Sequence, residues 1–275
     1  MKNILLTGAT GFVGRQILFS LLDKKIEVRA IVRRGKENFF KDKNSKVELI
    51  TSDDLFKESD DWWAEQCKGI DTIIHVAWYA EPGKYLQSPK NIECLIGSLN
   101  LAKGAIKAGI RRFVGIGTCF EYDLNVGDLS INTPLKPSTP YAAAKAGLYT
   151  FLSELLPVQS IEFSWCRLFY LYGEGEDERR LVAYLHKQLS KNQTVELTSG
   201  RQVRDFLDVS EAGRMIVDVA MSERQGPINI CSGIPITVRQ LAEQIADDYG
   251  RRDLLNFGSK KDNLLDPPRV VGVRN

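Results

Sequence analysis

The chain has no block of single-sign charge, no apolar run long enough to cross a bilayer and no paired cysteine motif, and each absence removes a class of function. Lys and Arg total 37 against 35 Asp and Glu over 275 residues, a formal charge of +2, so the overall field selects neither nucleic acid nor an anionic membrane surface as partner. A spanning helix needs about 20 predominantly apolar residues, and no segment supplies them. The five cysteines, Cys67, Cys94, Cys119, Cys166 and Cys231, are odd in number and widely spaced, which argues against a disulfide framework and a zinc site. No bound metal is expected. Met1 runs straight into a short apolar segment ending at Gly8, with no basic leader or cleavage signal, and the expectation is a reduced, cytoplasmic, untargeted protein.

What is present is alternation. With 43% hydrophobic and 26% charged residues, the chain has the composition of a globular protein with one substantial core and a lobe. Short apolar, β-branched runs stand at Asn3 to Thr7, Ile26 to Val32, Lys46 to Ile50, Thr72 to Ala77, Arg112 to Ile116 and Glu162 to Arg167. Between them lie segments of helical period, clearest at Gly11 to Lys24, Asn91 to Ala108 and Tyr141 to Leu156, the last opened by the start signal Ser138-Thr139-Pro140. This order predicts an α/β fold with a parallel sheet covered on both faces by crossover helices. Beyond about residue 170 the alternation loosens, with helices expected at Arg180 to Ser190, Ser210 to Met221 and Val238 to Tyr249. The expected division is a first domain over 1–168 and a smaller lobe over 169–275 that returns some strands and helices to the first, with the binding cleft between them.

The segment Thr7-Gly8-Ala9-Thr10-Gly11-Phe12-Val13-Gly14 follows the first strand and opens a helix, the context in which spaced glycines make a dinucleotide site. Gly8 makes the tight turn, Gly11 admits a pyrophosphate to the backbone, and Gly14 lets helix and sheet approach, with helix N–H groups facing the anion. Thr10, Phe12 and Val13 complete the expected cofactor contacts of the turn. The second strand ends in Val32-Arg33-Arg34 with no acidic residue to hold ribose hydroxyls. Arg33 and Arg34 suit a 2′-phosphate, so NADP(H) is preferred, with NAD(H) the alternative.

Tyr141-Ala142-Ala143-Ala144-Lys145 puts a phenol and an ammonium four residues apart on one helix face. A cation beside a tyrosine favours the phenolate and lowers a pKa that is ordinarily about 10, which suits proton exchange with a substrate oxygen. Thr118 stands at the carboxyl end of a predicted parallel strand, where α/β sites lie, so glycine turn, phenol and hydroxyl converge on one cleft.

On these motifs the chain resembles the extended short-chain dehydrogenases/reductases, the sugar-nucleotide epimerase and dehydratase family, in its 4-ketoreductase-like branch. The likeness covers nearly the whole chain. Gly8, Gly11 and Gly14 match the TGxxGxxG turn, Tyr141 and Lys145 the YxxxK pair, and Phe113 to Tyr122 the strand carrying the catalytic hydroxyl, here Thr118. Asp54-Leu55 resembles the adenine-side Asp-Leu, and Ile74 to Ala77 the strand lining the cofactor. Arg167 to Gly173 is similar to RxxNxYG, with Tyr170 in the Asn place, and Gly200 to Phe206 to GxQxRDF. The resemblance implies a Rossmann-type doubly wound parallel sheet with a smaller C-terminal substrate lobe. It also implies Thr118, Tyr141 and Lys145 as catalytic residues, Lys145 and Tyr141 on the nicotinamide ribose side, and Tyr170 and Arg204 on a sugar-nucleotide substrate, Arg204 by its diphosphate. A homodimer is implied through the helix of Tyr141 and the helix over Asn91 to Ala108.

Departures narrow the reaction. Family dehydratases carry an Asp-Glu pair directly after the catalytic Thr, whereas this chain has Cys119 and Phe120. The 3,5-epimerase/reductase branch would place its catalytic Cys at Phe120. Hydride transfer needs neither carrier, so the expectation is NADPH-dependent reduction of a 4-keto-6-deoxy sugar nucleotide for polysaccharide biosynthesis. The alternatives are an NAD-dependent 4-epimerase using the same three residues and a non-catalytic NADP-binding sensor. His75 is expected to pack in its strand, and Trp62 and Trp63 to anchor a helix on the sheet.

Overall fold

The computed structural model describes residues 3–41, 47–263 and 266–275. Its first half runs β1 (Asn3–Thr7), α1 (Phe12–Asp23), β2 (Glu27–Arg33), β3 (Val47–Ser52), α2 (Asp60–Gln66), β4 (Thr72–His75), α3 (Lys90–Ala108) and β5 (Arg112–Thr118). There follow β6 (Asp128–Leu129), α4 (Pro140–Val158), β7 (Glu162–Leu168), β8 (Tyr170–Tyr172), α5 (Leu181–Leu189), β9 (Val195–Leu197) and β10 (Val203–Asp208). The chain ends with α6 (Val209–Met221), β11 (Gly226–Ile230), β12 (Pro235–Thr237), α7 (Val238–Asp248), β13 (Leu255–Phe257) and β14 (Arg269–Gly272).

Seven strands form one parallel sheet in the order β11-β7-β5-β4-β1-β2-β3. The central ones are buried on both faces: β4 and β5 are buried at every position, which is how strands under two helical layers read. One layer contains α1 and α6, whose Ile17, Leu18, Leu21, Ile216 and Val217 meet β1 and β2 residues such as Ile4, Leu6 and Val28. The other contains α2, α3 and α4, joined by Trp63, Leu101, Leu148 and Leu152 against Leu5, Ile73 and Phe113. Trp63 is fully buried in that layer and ties α2 to the sheet, while Trp62 packs edge-on against it.

The expected strands and helices are present, with ends displaced by a few residues. Thr72 to Ala77 stops as a strand at His75, and Arg112 to Ile116 runs on to Thr118. Of Lys46 to Ile50, Lys46 lies outside the described residues and the rest is β3. The segment after 168 divides between two places. Its α6 and β11 complete the parallel sheet and its cover, while α5 and α7 close a separate small core around Leu185, Leu189, Val195 and Ile245.

Candidate active site

The turn after β1 is built around close backbone approaches. Gly8 has φ +73°, and a Cβ there would lie 2.8 Å from the Ala77 nitrogen. A Cβ on Gly14 would lie 2.0 Å from the Gly8 carbonyl oxygen, and the Gly11 N–H donates to that oxygen at 2.9 Å. Helix α1 starts with Gly11 as its N-cap and no side-chain acceptor, so first-turn N–H groups are left for an anion. Gly8, Thr10, Gly11, Phe12, Val13, Gly14 and Ala77 line a cavity of about 860 Å³. Its volume, its glycine cradle and its donors fit a nicotinamide dinucleotide.

At one end of the cavity stand Arg33, Lys36, Ser52, Asp54 and Leu55. Arg33 and Lys36 are exposed cations brought together by a turn in which the Lys36 N–H donates to the Arg33 carbonyl at 3.0 Å. Arg34 takes a different course. Its guanidinium pairs with Asp53 at 2.6 Å, and it is not among the lining residues. Asp54 turns its carboxylate to the Phe56 N–H at 3.2 Å. Lys36 was not picked out by sequence reasoning, although its place just past an Arg-Arg-Gly turn was the available signal.

At the other end, β5 delivers Thr118 and α4 delivers Tyr141 and Lys145 to the same cavity. Thr139 caps α4 by accepting from the Ala142 N–H, and Pro140 opens the first turn, which fixes the start of the helix and the side on which Tyr141 emerges. Lys145 is 3% exposed; its Nζ donates to the Ile116 carbonyl at 2.7 Å and lies 3.8 Å over the Trp78 ring. The Tyr141 ring meets Tyr85 edge-on at 4.8 Å and Trp78 at 6.4 Å.

The electrostatics run opposite to the expectation that Lys145 lowers the phenol. Burial pushes Tyr141 well above its ordinary value, with Tyr85 and Glu121 adding to the rise and the Thr118 hydroxyl pulling it partly back. Burial likewise pushes Lys145 down to about 7, against a countervailing pull from Glu121 and Cys94. Desolvation is the largest influence on each and penalises both charged forms. The phenol is therefore held protonated near neutrality.

Tyr170 lines the cavity with Phe120, Cys119 and Phe169. Arg204 sits behind it, its guanidinium 5.3 Å from the Tyr170 ring and 2.7 Å from Asp266, and is not among the lining residues. His75 is a strand cross-link. Ser98 donates to the Cys94 carbonyl at 2.7 Å, so it accepts from His75 Nε2–H, leaving Nδ1 to accept from Thr7. Burial, with Lys145 adding, pushes this imidazole down to about 3. Besides Lys36, the site residues that the sequence reading missed are Trp78, Tyr85 and Glu121. Of these three, Glu121 alone left a local mark, the Thr-x-x-Glu spacing of a capping box from Thr118.

Comparisons with known proteins agree with this architecture. A curated relative, the dTDP-6-deoxy-L-talose 4-dehydrogenase (NAD(+)) of Aggregatibacter actinomycetemcomitans, is 27% identical over 90% of this chain and 90% of its own length. A CDP-abequose synthase of Salmonella muenchen is 24% identical over 94% of this chain and 84% of its own. Among solved structures, a UDP-N-acetylglucosamine 4-epimerase from Methanobrevibacter ruminantium superposes with a TM-score of 0.88 at 22% identity, covering 99% of this chain and 89% of the other. A dTDP-glucose 4,6-dehydratase from Streptomyces venezuelae does so with 0.84 at 22% identity, covering 99% and 88%. The model of the NAD dependent epimerase/dehydratase family matches residues 4–231, and with the glycine cradle, Thr118 and the Tyr141–Lys145 pair in one cavity, the chain belongs to that family.

Proposed function

We propose that this protein is a sugar-nucleotide-modifying enzyme that reduces the 4-keto group of a 4-keto-6-deoxy sugar nucleotide. The observation that carries the reading is the shared cavity. Thr118, Tyr141 and Lys145 stand at the carboxyl edge of the sheet opposite the glycine cradle, with Cys119 and Phe120 beside them in place of carboxylates. A bound nicotinamide dinucleotide supplies hydride there, and the chain's own residues do the rest. Thr118 and Tyr141 hydrogen-bond the keto oxygen, and as charge develops Tyr141 passes it the phenolic proton. Each donor that strengthens its bond to the developing oxyanion contributes about 3 kcal/mol. A phenol held protonated by burial suits proton donation better than abstraction, which supports reduction. The name of the Aggregatibacter relative describes hydride transfer at C4 of a 6-deoxy sugar nucleotide, whose reverse is the reduction proposed here.

NADP(H) is the preferred cofactor on this reading, supported by Arg33 with Lys36 as its newly recognised partner at the open end of the cavity. That relative's name specifies NAD(+), so NAD(H) remains the alternative to measure. Residues 1–168 with α6 and β11 would hold the dinucleotide, and the rest of 169–275 the sugar nucleotide through Tyr170. A homodimer through α3 and α4 is supported by the exposed Ile92, Ile96, Phe151 and Val158, and a cytoplasmic setting by five cysteines without a disulfide.

Purified protein is offered a panel of 4-keto-6-deoxy nucleotide sugars with NADPH or NADH, and absorbance at the reduced nicotinamide band is followed. Stoichiometric oxidation of free NADPH supports the reductase. The second reading, a 4-epimerase, is favoured by the same Thr118, Tyr141 and Lys145 set and by a putative UDP-glucose 4-epimerase of Methanocaldococcus jannaschii, 24% identical over 90% of this chain and 83% of its own. Retained NAD with no net consumption would select it.

A further inference from the structure

The carboxylate of Glu121 is fully buried directly beneath the catalytic edge. It accepts from the Thr118 N–H at 2.8 Å, from Trp165 Nε1 at 3.1 Å on both oxygens, and from Arg167 Nε at 2.7 Å. Burial pushes this carboxyl above its ordinary range, with Arg167 and the Thr118 and Trp165 N–H groups pulling it back. Because every neighbour is a donor, none is left to accept a carboxylic acid proton, which is the geometry of a carboxylate paired with Arg167. The Thr118 side chain in turn accepts from the Phe120 N–H at 3.3 Å, closing a reciprocal box over Cys119–Glu121.

The surroundings are shaped to admit this anion. A Cβ on Gly117 would lie 2.2 Å from Trp165 Nε1 and 2.5 Å from Glu121 Oε1, and one on Gly115 2.4 Å from the Trp165 ring. Strand β5 is thus notched twice just before Thr118, once for the indole and once for the indole with the carboxylate. Arg167 donates to the Tyr122 hydroxyl at 3.0 Å and stacks over the Tyr122 and Tyr149 rings at 4.6 and 4.4 Å. Its Nη2 finds no acceptor among the described residues. Buried pairs of this kind are often replaceable by apolar residues without loss of stability, and this one keeps an unpaired N–H, so stability alone does not account for it.

On the other side of Trp165 lies Lys145, whose Nζ is 5.8 Å from that ring. The titratable groups facing Lys145 are Cys94 from α3, His75 from β4, Tyr141 from its own helix and Glu121. Burial keeps the thiol and the phenol protonated and the imidazole neutral. Glu121, paired with the Arg167 guanidinium, is the one carboxyl of the set.

We propose, on the reading that Thr118, Tyr141 and Lys145 perform the chemistry, that Glu121 is the positioning residue of the catalytic edge. It fixes the backbone of Thr118 and supplies a buried negative charge that favours the ammonium form of Lys145 against its burial. Arg167 and Trp165 hold Glu121 in place, and Glu121 touches neither substrate nor cofactor.

The test compares wild type, Glu121→Gln and the pair-neutral Glu121→Gln/Arg167→Met, which avoids stranding a buried arginine if the single variant fails to fold. Turnover of the 4-keto sugar nucleotide is expected to fall about 10²-fold in both, the scale of a misplaced catalytic group, with KM near wild type. The Lys145 amine, followed by ¹⁵N-lysine NMR and assigned with Lys145→Met, is expected to lose its proton about one pH unit lower in both. Wild-type turnover in the double variant, or an unmoved Lys145 titration, overturns the proposal. A wild-type enzyme inactive on every nucleotide sugar would sink the function proposed above, while the Lys145 titration would still decide the role of Glu121.

Discussion

At the scale of single residues, the site is governed by desolvation. Tyr141→Phe removes the proton donor but leaves the ring between Tyr85 and Trp78, so turnover should fall by about 10²- to 10⁴-fold while NADPH titration gives nearly the wild-type affinity. Comparable turnover would take the phenol out of the chemistry. Lys145 offers a second measurement, through stability. Its folded value near 7 lies below the ordinary 10.5, so below pH 7 both folded and unfolded chains hold the proton. Between about 7 and 10.5 the unfolded chain holds a proton that the folded one has released, and stability rises with pH across that window. Relative to Lys145→Met, wild type should gain about 1.4 kcal/mol per pH unit there. Urea unfolding of both proteins at pH 7, 8 and 9 reads the difference directly, and a constant gap would mean an unshifted amine.

These residues were legible in the sequence to the extent that their partners are local. Tyr141 and Lys145 are one helical turn apart, and the glycines act through a turn of eight residues. The charge balance was not legible, because it is set by Trp78, Tyr85 and Glu121 arriving from other elements. Arg34 was read with Arg33 as a pair, and only the fold brings up Asp53 to take one of them away.

At the scale of elements, strands buried on both faces and long amphipathic helices declare themselves by period, whereas β6, β8, β9, β12 and β13, two or three residues each, carry too few positions to show one. The β1 to α1 junction is the element on which the proposed nucleotide binding rests. In Gly14→Ala the new methyl would meet the Gly8 carbonyl at 2.0 Å, backbone that cannot swing aside. The expected cost is about 1–3 kcal/mol of stability together with loss of NADPH binding, read by thermal denaturation and titration. Gly147, exposed on α4 with nothing near its Cβ position, is the matched control. Gly147→Ala should stabilise by about 0.5–1 kcal/mol and leave binding unchanged. An equal effect of both substitutions would show that the cradle is not tight.

At the scale of the whole molecule, the sequence reading expects the lobe over 169–275 to return some strands and helices to the first domain but does not say which. Its α6 packs on α1 and its β11 on β7, contacts between residues about 60 to 200 positions apart that no local pattern encodes. The outer helical layer raises a different question. Ile92 and Ile96 are one turn apart on α3 and 61% and 53% exposed, and Phe151 and Val158 lie two turns apart on the neighbouring α4 at 54% and 78%. Scattered apolar residues on a surface need no explanation, but two such rows on adjacent helices make a patch of the sort that self-association buries. A two-fold packing of α3 and α4 against their copies would cover all four residues in one interface. Sedimentation of the wild-type chain should then give twice the chain mass, and Ile96→Glu with Phe151→Glu should give the single mass, because each carboxylate would have to be buried without a partner. The candidate cavity lies at the sheet's carboxyl edge rather than on this layer, so the monomer should still bind NADPH. A doubly substituted protein that sediments like wild type would place the subunit contact, if there is one, on another face.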